Sequence, residues 1–202
     1  MSSRRFLPKL SFGTVAWLLL LSVLAYRMWP QVAATFGVAS TSMQAPDFQL
    51  ASLTGEPISP GTLRGKVVLV NFWATWCPPC RVEMPGFQRV YEKKRDEQFT
   101  IVGISTDAVG PARVAAFLHE RGITYPVAMA NAAVVRDFGG VHTLPTSFLI
   151  DREGRVRHEV QGIFASVALE QAVDRLLAER PAATPAAATP AAATAATPGG
   201  VR

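Results

Sequence analysis

Apolar runs and amphipathic stretches alternate along the chain. Three apolar runs rich in β-branched and aromatic residues predict strands buried on both faces of a sheet. These strands cover residues 66–73, 100–105 and 146–150. Apolar positions at helical spacing predict helices over Pro78 to Asp96, Val109 to Arg121 and Ala165 to Glu179. The alternation of the two indicates an α/β fold, with a central sheet flanked by helices.

Shorter elements fill the remaining parts of the domain. Residues 48–53 alternate in polarity and lead to a glycine-containing turn, which predicts an N-terminal β-hairpin. Residues 126–129 predict a short extended piece, and residues 132–138 predict a short helix. Asp151 to Gly154 predicts a hairpin turn, with residues 156–160 as the returning strand.

The N-terminal segment has the pattern of a membrane anchor. Leu10 to Tyr26 contains no charged residue and follows three positive charges in the first nine positions. Extended to Trp29, it is just long enough to span a bilayer as one transmembrane helix. Positive charges before the span place the N-terminus in the cytoplasm and the rest outside. A cleaved signal peptide is the alternative, and it would also export the domain.

These patterns divide the chain into four parts. Residues 1–29 are a cytoplasmic stub and transmembrane anchor, residues 30–45 a tether, and residues 46–180 the folded domain. Residues 181–202 are almost entirely Ala, Pro and Thr, which predicts a disordered or polyproline-like tail.

The charge of the chain does not indicate a nucleic-acid-binding protein. The formal net charge is +5, but four of the positive charges lie in the N-terminal segment, which contains no acidic residue. The rest of the chain therefore carries only +1, which is too little for a basic binding face.

The candidate chemistry lies at the only two cysteines, Cys77 and Cys80, where the first apolar run gives way to a helix. A thiolate at the start of a helix is favoured by the helix dipole and by free backbone N–H groups, so Cys77 is the predicted nucleophile. Cys80 lies one turn further on the same face and is the predicted resolving thiol. Pro78 and Pro79 suit the first turn, but they remove two donors from the thiolate. This environment favours a reductant or mild exchanger over a strong oxidant.

A structural disulfide and a zinc site are the plainer interpretations of this cysteine pair. A bridge across two residues closes too small a loop to stabilise a fold by much. A closed zinc site needs four ligands, and the three histidines, His119, His142 and His158, show no paired spacing. Redox exchange is therefore the favoured interpretation, with the dithiol exposed outside the cytoplasm and no metal or other cofactor.

Three motifs together carry a resemblance to a known family. They are Phe72-Trp73-Ala74-Thr75-Trp76-Cys77-Pro78-Pro79-Cys80, the helix proline Pro85, and Leu144-Pro145-Thr146-Ser147-Phe148-Leu149-Ile150-Asp151. In these motifs the chain resembles the TlpA/ResA/CcmG (DsbE-type) group of membrane-anchored, extracytoplasmic thiol:disulfide oxidoreductases. The resemblance covers residues 46–179. It implies a thioredoxin-like fold, with an inserted helix between residues 107 and 140.

The resemblance also implies which residues meet the substrate. In such proteins the proline matching Pro145 is cis and packs beside the disulfide, and the backbone of the preceding residue, Leu144, pairs with the substrate peptide. The residues expected to bind substrate are Trp76, Pro78, Pro79, Leu144 and Pro145.

Two positions separate the chain from thioredoxin itself. Thioredoxin has a buried Asp six residues before the first cysteine, where this chain has Asn71, which cannot accept a proton. The TlpA/ResA group instead has a Glu three residues after the second cysteine, and Glu83 stands there. Because Cys80 and Glu83 share a helix face, partial burial would raise the pKa of this carboxyl and let it accept the Cys80 proton. A solvent-facing Glu is the alternative.

The resulting hypothesis is an enzyme that reduces disulfides of exported proteins, with apocytochrome c as the family's best-known substrate. A thiol-transferring membrane protein would return it to the dithiol form. A copper chaperone of the Sco type and a peroxiredoxin are the alternatives. The first has three residues between its cysteines, where this chain has two, and a distant His, for which His142 is a poor match. The second needs a Pro-x-x-x-Thr-x-x-Cys motif, which the segment before Cys77 lacks.

Overall fold

The structure is a computed structural model that describes residues 17, 19–23, 38–39 and 43–179. Residues 17 and 19–23 are helical. Among the residues described, no helix is both long and apolar enough to cross a bilayer. Most of the predicted anchor and the whole of the predicted tail lie outside the described residues, so both stay predictions.

A six-stranded mixed sheet forms the centre of the described domain, in the order β1-β6-β5-β2-β3-β4. The central strand, β2, pairs in parallel with β3 and antiparallel with β5, while β4 extends the parallel side. On the other side β6 pairs antiparallel with both β5 and β1. The strands are β1 Val38–Ala39, β2 Val67–Trp73, β3 Phe99–Ser105, β4 Val127–Met129, β5 Thr146–Ile150 and β6 Val156–Gln161. The predicted α/β architecture with a mixed sheet is confirmed.

Five α-helices of the described domain join or cover these strands. They are α1 Pro60–Leu63, α2 Pro78–Lys94, α3 Pro111–Glu120, α4 Ala132–Asp137 and α5 Ser166–Ala178, with a 3₁₀ turn at Arg95–Glu97. The predicted helices agree with these bounds to within a few residues. Each helix buries one apolar face, and that face produces the helical spacing of apolar residues from which it was predicted. Pro85 lies inside α2.

Side chains of β2 alternate between two apolar clusters, one on each face of the sheet. Val67, Leu69 and Trp73 enter the cluster covered by α2, α3 and α5, which also contains both cysteines. Val68, Val70 and Phe72 enter the cluster covered by α4 and by the segment before α1. This two-residue period places Asn71 on the same face as the cysteines.

The structure does not contain the regular N-terminal β-hairpin that the sequence predicts for residues 48–53 and the turn after them. Leu50 and Ile58 make one isolated bridge, and Ser52 bridges Ala128 of β4. The segment crosses the edge of the sheet, so its backbone groups are divided between two partners and no ladder forms. The pairing of β1 with β6 was not predicted, and it attaches part of the predicted tether to the sheet.

The predicted turn from Asp151 to Gly154 is confirmed, and the Asp151 side chain organises it. One carboxylate oxygen accepts hydrogen bonds from the backbone N–H groups of Glu153 and Arg155 at 3.1 and 2.9 Å. The other oxygen receives Arg155 Nε at 2.9 Å and Arg157 Nη1 at 3.3 Å. Burial alone would raise the pKa of Asp151, but these hydrogen bonds and the arginine charges hold it below its ordinary value.

Replacing Gly86 in α2 by alanine should destabilise the domain. A Cβ at this position would lie 2.8 Å from Ser166 Cβ in α5, closer than packed atoms allow. We expect Gly86→Ala to lose about 1–2 kcal/mol in urea-induced unfolding, even though alanine favours helices. Gly61→Ala in α1 is the matched control, because its nearest contact would be 3.8 Å away. Equal stability of the two variants would contradict close α2–α5 packing.

Candidate active site

A strand, a turn and a helix place the cysteine pair. The strand β2 ends at Trp73, and Cys77 is the N-cap of α2. The Cys77 N–H donates to Ala74 O at 3.2 Å, which closes the turn. Pro78 and Pro79 occupy the first two helical positions, where a missing N–H costs no intrahelical bond. The predicted placement at a helix entrance is confirmed.

The two cysteines form a disulfide with an S–S distance of 2.02 Å. The prediction of an exposed pair is wrong for this oxidised form, since Cys77 is 3% exposed and Cys80 is fully buried. Both belong to the apolar cluster beneath α2, because the first helical turn packs directly onto the sheet. Cys77 lies between two exposed residues, Trp76 and Pro78. Any attack from outside therefore reaches Cys77 before Cys80.

Few backbone N–H groups support the Cys77 sulfur. The Cys80 N–H donates to Cys77 Sγ at 3.3 Å. The Arg81 N–H donates to the Cys77 carbonyl oxygen at 3.2 Å and not to the sulfur. A helical hydrogen bond has taken this donor, which leaves the sulfur with limited backbone support.

Asp107 holds the turn before Cys77, a contact that the sequence did not predict. Its carboxylate accepts the Thr75 N–H at 2.8 Å and the Thr75 hydroxyl at 2.6 Å. The Ser105 hydroxyl donates to the same carboxylate at 2.8 Å. These hydrogen bonds tie the cysteine-bearing turn to the end of β3, which lies next to β2 in the sheet.

The peptide bond between Leu144 and Pro145 is cis, as predicted. The Thr146 hydroxyl donates to Thr143 O at 2.8 Å across this turn, and Gly162 N–H donates to Pro145 O at 2.7 Å. Pro145 is buried, while Leu144 is half-buried and packs against both apolar clusters. The turn leads straight into β5, the neighbour of β2.

Glu83 follows Cys80 by three residues in α2 and is buried, with 5% of its surface exposed. Its Oε1 accepts from Asn71 Nδ2 at 2.9 Å, and its Oε2 accepts from the Phe164 N–H at 3.0 Å. Burial raises the pKa of this carboxyl to about 7, and the two hydrogen bonds oppose the rise. The predicted burial and raised pKa are confirmed, and the solvent-facing alternative is wrong. The contact with Asn71 was not predicted, although both residues were singled out.

The histidines lie in separate elements, at His119 in α3, His142 in the loop before the cis proline, and His158 in β6. Within the described ranges, no cluster of three or more His, Cys, Asp or Glu residues could hold a metal ion. His142 is exposed.

A disulfide at a helix entrance, carried by the central strand of a mixed sheet and accompanied by a cis proline, defines a protein of the thioredoxin-like fold. Residues 41–159 match the AhpC/TSA family. Two thiol-disulfide oxidoreductases named ResA are similar to the chain. The one from Bacillus subtilis (strain 168) is 34% identical over 156 residues, covering 76% of this chain and 86% of the relative. The one from Bacillus anthracis is 32% identical over 154 residues, covering 76% and 88%.

A solved structure supports the same assignment. The thiol:disulfide interchange protein of the thioredoxin family from Chlorobium tepidum TLS has a TM-score of 0.63 and 35% identity, covering 69% of this chain and 99% of that one. The chain belongs to the AhpC/TSA family and to the TlpA/ResA/CcmG group of thiol:disulfide oxidoreductases. It is therefore an enzyme of thiol-disulfide exchange.

Glu83 should make the stability of the domain depend on pH. Burial raises the pKa of this carboxyl from 4.5, its ordinary value in an unfolded chain, to about 7 in the folded chain. Between these values the unfolded state has lost a proton that the folded state keeps, so rising pH favours unfolding. Relative to Glu83→Gln, we expect the wild-type free energy of unfolding to fall by about 3 kcal/mol from pH 4 to pH 8. Parallel stability curves in urea titrations would contradict the buried, proton-retaining carboxyl.

Proposed function

We propose that the enzyme reduces disulfides of exported proteins, such as apocytochrome c, on the outer side of the cytoplasmic membrane. The observation that carries this proposal is the Cys77–Cys80 disulfide at the start of α2, in which Cys77 alone keeps any exposed surface. The names of the ResA relatives support exchange chemistry on thiols and disulfides. The substrate and the compartment rest on the family resemblance and on the N-terminal sequence.

Limited support for the Cys77 sulfur favours reduction over oxidation. Strong oxidants stabilise their thiolate form, which makes the dithiol the preferred state. Here Pro78 and Pro79 contribute no N–H, and the Arg81 N–H is engaged by the Cys77 carbonyl. The sulfur keeps the Cys80 N–H at 3.3 Å. A thiolate with so few donors gives up its electrons more readily.

The proposed reaction is a two-electron exchange. The Cys77 thiolate attacks one sulfur of the substrate disulfide, forms a mixed disulfide and releases the other substrate sulfur as a thiolate. Cys80 then passes its proton to Glu83 and attacks Cys77 Sγ, which forms the Cys77–Cys80 disulfide and releases the second substrate thiolate. The substrate gains two electrons and the dithiol loses two. A membrane thiol donor restores the dithiol by the reverse exchange.

The surface around Cys77 suits a polypeptide substrate. Trp76 is 66% exposed beside the disulfide, so a large apolar surface is available for contact. Leu144 is half-buried at the cis proline turn, where the resemblance places the substrate backbone. Pro78 and Pro79 complete the proposed contact surface, and the buried Pro145 sets the turn that presents the Leu144 backbone.

Single cysteine variants should separate the two steps of the exchange. We expect Cys77→Ser to abolish reduction of insulin or of a cytochrome peptide, because it removes the attacking sulfur. Cys80→Ser should form the mixed disulfide without releasing it, since the resolving thiol is missing. In the cell that produces the protein, this variant should accumulate adducts that mass spectrometry identifies, with apocytochrome c among them. Adducts that form through Cys80 in Cys77→Ser, rather than through Cys77, would refute the assigned roles.

The proposed location has its own test. Positive charges before residues 10–29 should keep the N-terminus inside and place the domain outside. We expect alkaline phosphatase fused after Arg202 to be active in cells, because it folds only outside the cytoplasm, and a matching β-galactosidase fusion to be inactive. The opposite pattern would refute the location without affecting the chemistry.

A further inference from the structure

Asn71 lies in the middle of β2, with 1% of its surface exposed, on the face that carries the dithiol. Its amide nitrogen has two hydrogens, and both are used. One is donated to Glu83 Oε1 at 2.9 Å and the other to Ser147 Oγ at 3.0 Å. Asn71 thereby links α2 to β5, the strand that follows the cis proline.

The Asn71 amide is oriented with its NH₂ group, and not its oxygen, toward the Glu83 carboxyl group. Asn71 Oδ1 is buried and has no hydrogen-bond partner in the described part of the chain. Such an unpaired acceptor is costly, and an apolar residue would avoid the cost. Turning the amide over would place its oxygen against the carboxylate oxygen of Glu83. The retained arrangement directs both hydrogens to oxygen atoms and none to solvent.

The surroundings of Glu83 supply donors rather than positive charge. Asn71 reaches one carboxylate oxygen from β2, and the Phe164 N–H reaches the other from the loop before α5. On its own helix the titratable neighbour is Cys80, one turn earlier and held in the disulfide with Cys77. Tyr125 is a further titratable group close enough to interact with this carboxyl. Its pKa is raised mainly by burial and, to a smaller extent, by the negative charge of Glu83.

We infer that Asn71 is a positioning residue for proton transfer: it holds the Glu83 carboxylate one helical turn from Cys80 and stabilises its ionised form, while Ser147 fixes the amide. This inference rests on the proposed role of Glu83 as the acceptor of the Cys80 proton. Each Glu83 oxygen still has a free lone pair for that proton. An amide serves here because it donates to the carboxylate without adding a competing charge.

A chromogenic aromatic disulfide tests this in the reduced full-length protein by stopped-flow absorbance. The first coloured thiolate is released when Cys77 attacks the probe. The second is released when Cys80 resolves the mixed disulfide. The first phase therefore tests the proposed nucleophile, and the pH dependence of the second tests the environment of Glu83. The two ideas can fail separately.

We expect the second phase in the wild type to accelerate with a midpoint near pH 7, where Glu83 ionises. Asn71→Leu fills a similar volume but removes the donor, so its midpoint should rise by about one pH unit and its rate at pH 7 should fall about 5-fold. The first phase should change by less than about 2-fold. Gln88→Leu is the matched control, because it too removes a buried side-chain amide. This amide lies in α2 and hydrogen-bonds Glu92 and Thr124, not Glu83. Its midpoint should stay at the wild-type value.

A double-mutant cycle completes the test. In a Glu83→Gln background, Asn71→Leu should cause no further slowing of the second phase. The inference is overturned if Asn71→Leu keeps the wild-type midpoint, if Gln88→Leu shifts it equally, or if Asn71→Leu still slows resolution without Glu83. If Asn71→Leu does not fold, Ser147→Ala replaces it and should raise the midpoint by a smaller amount, with no shift overturning the inference. Absence of the second phase in the wild type would refute the proposed exchange itself.

Discussion

Burial of the first turn of α2 against the sheet is the constraint on which the site depends. It places the disulfide in the same apolar cluster as Met84 and Phe87, so the reactive pair belongs to the core and not to a loop. The carboxyl group that serves the chemistry must then also be buried, and it needs hydrogen-bond partners. Glu83 obtains its partners from β2 and from the loop before α5. The packing that fixes the sulfurs thus also fixes the acid-base group.

Two buried carboxylates show how partners decide the outcome of burial. Asp151 and Glu83 are exposed by 4% and 5%, yet their pKa values move in opposite directions. Asp151 accepts the Arg155 backbone N–H and two arginine side chains, and these hydrogen bonds and the Arg155 charge together outweigh the loss of solvent. Glu83 receives an amide and a backbone N–H, which only partly offset it. The pKa of the carboxylate in the turn is therefore lowered, while that of Glu83 is raised to about 7, where it can exchange its proton near neutral pH.

Contacts close in sequence could be predicted here, while contacts far apart could not. The strands and helices follow from local periodicity, and the burial of Glu83 follows from its spacing to Cys80 on one helix face. The Asn71–Ser147 hydrogen bond joins residues 76 positions apart, and the Thr75–Asp107 contact joins residues 32 apart. The periodicity of apolar residues shows which face of a strand or helix a side chain lies on. It does not show which residue of another element that side chain will contact. Burial of Cys77 escaped prediction for the same reason, since exposure depends on neighbours from distant elements.

The short outer strands have a consequence for how separate molecules of the protein meet one another. β1 has two residues and β4 has three, and β4 is also bridged by Ser52. Such edges present too few unpaired backbone groups to recruit a strand from a second molecule. Resistance to intermolecular strand pairing is therefore part of the fold itself and needs no separate protecting factor.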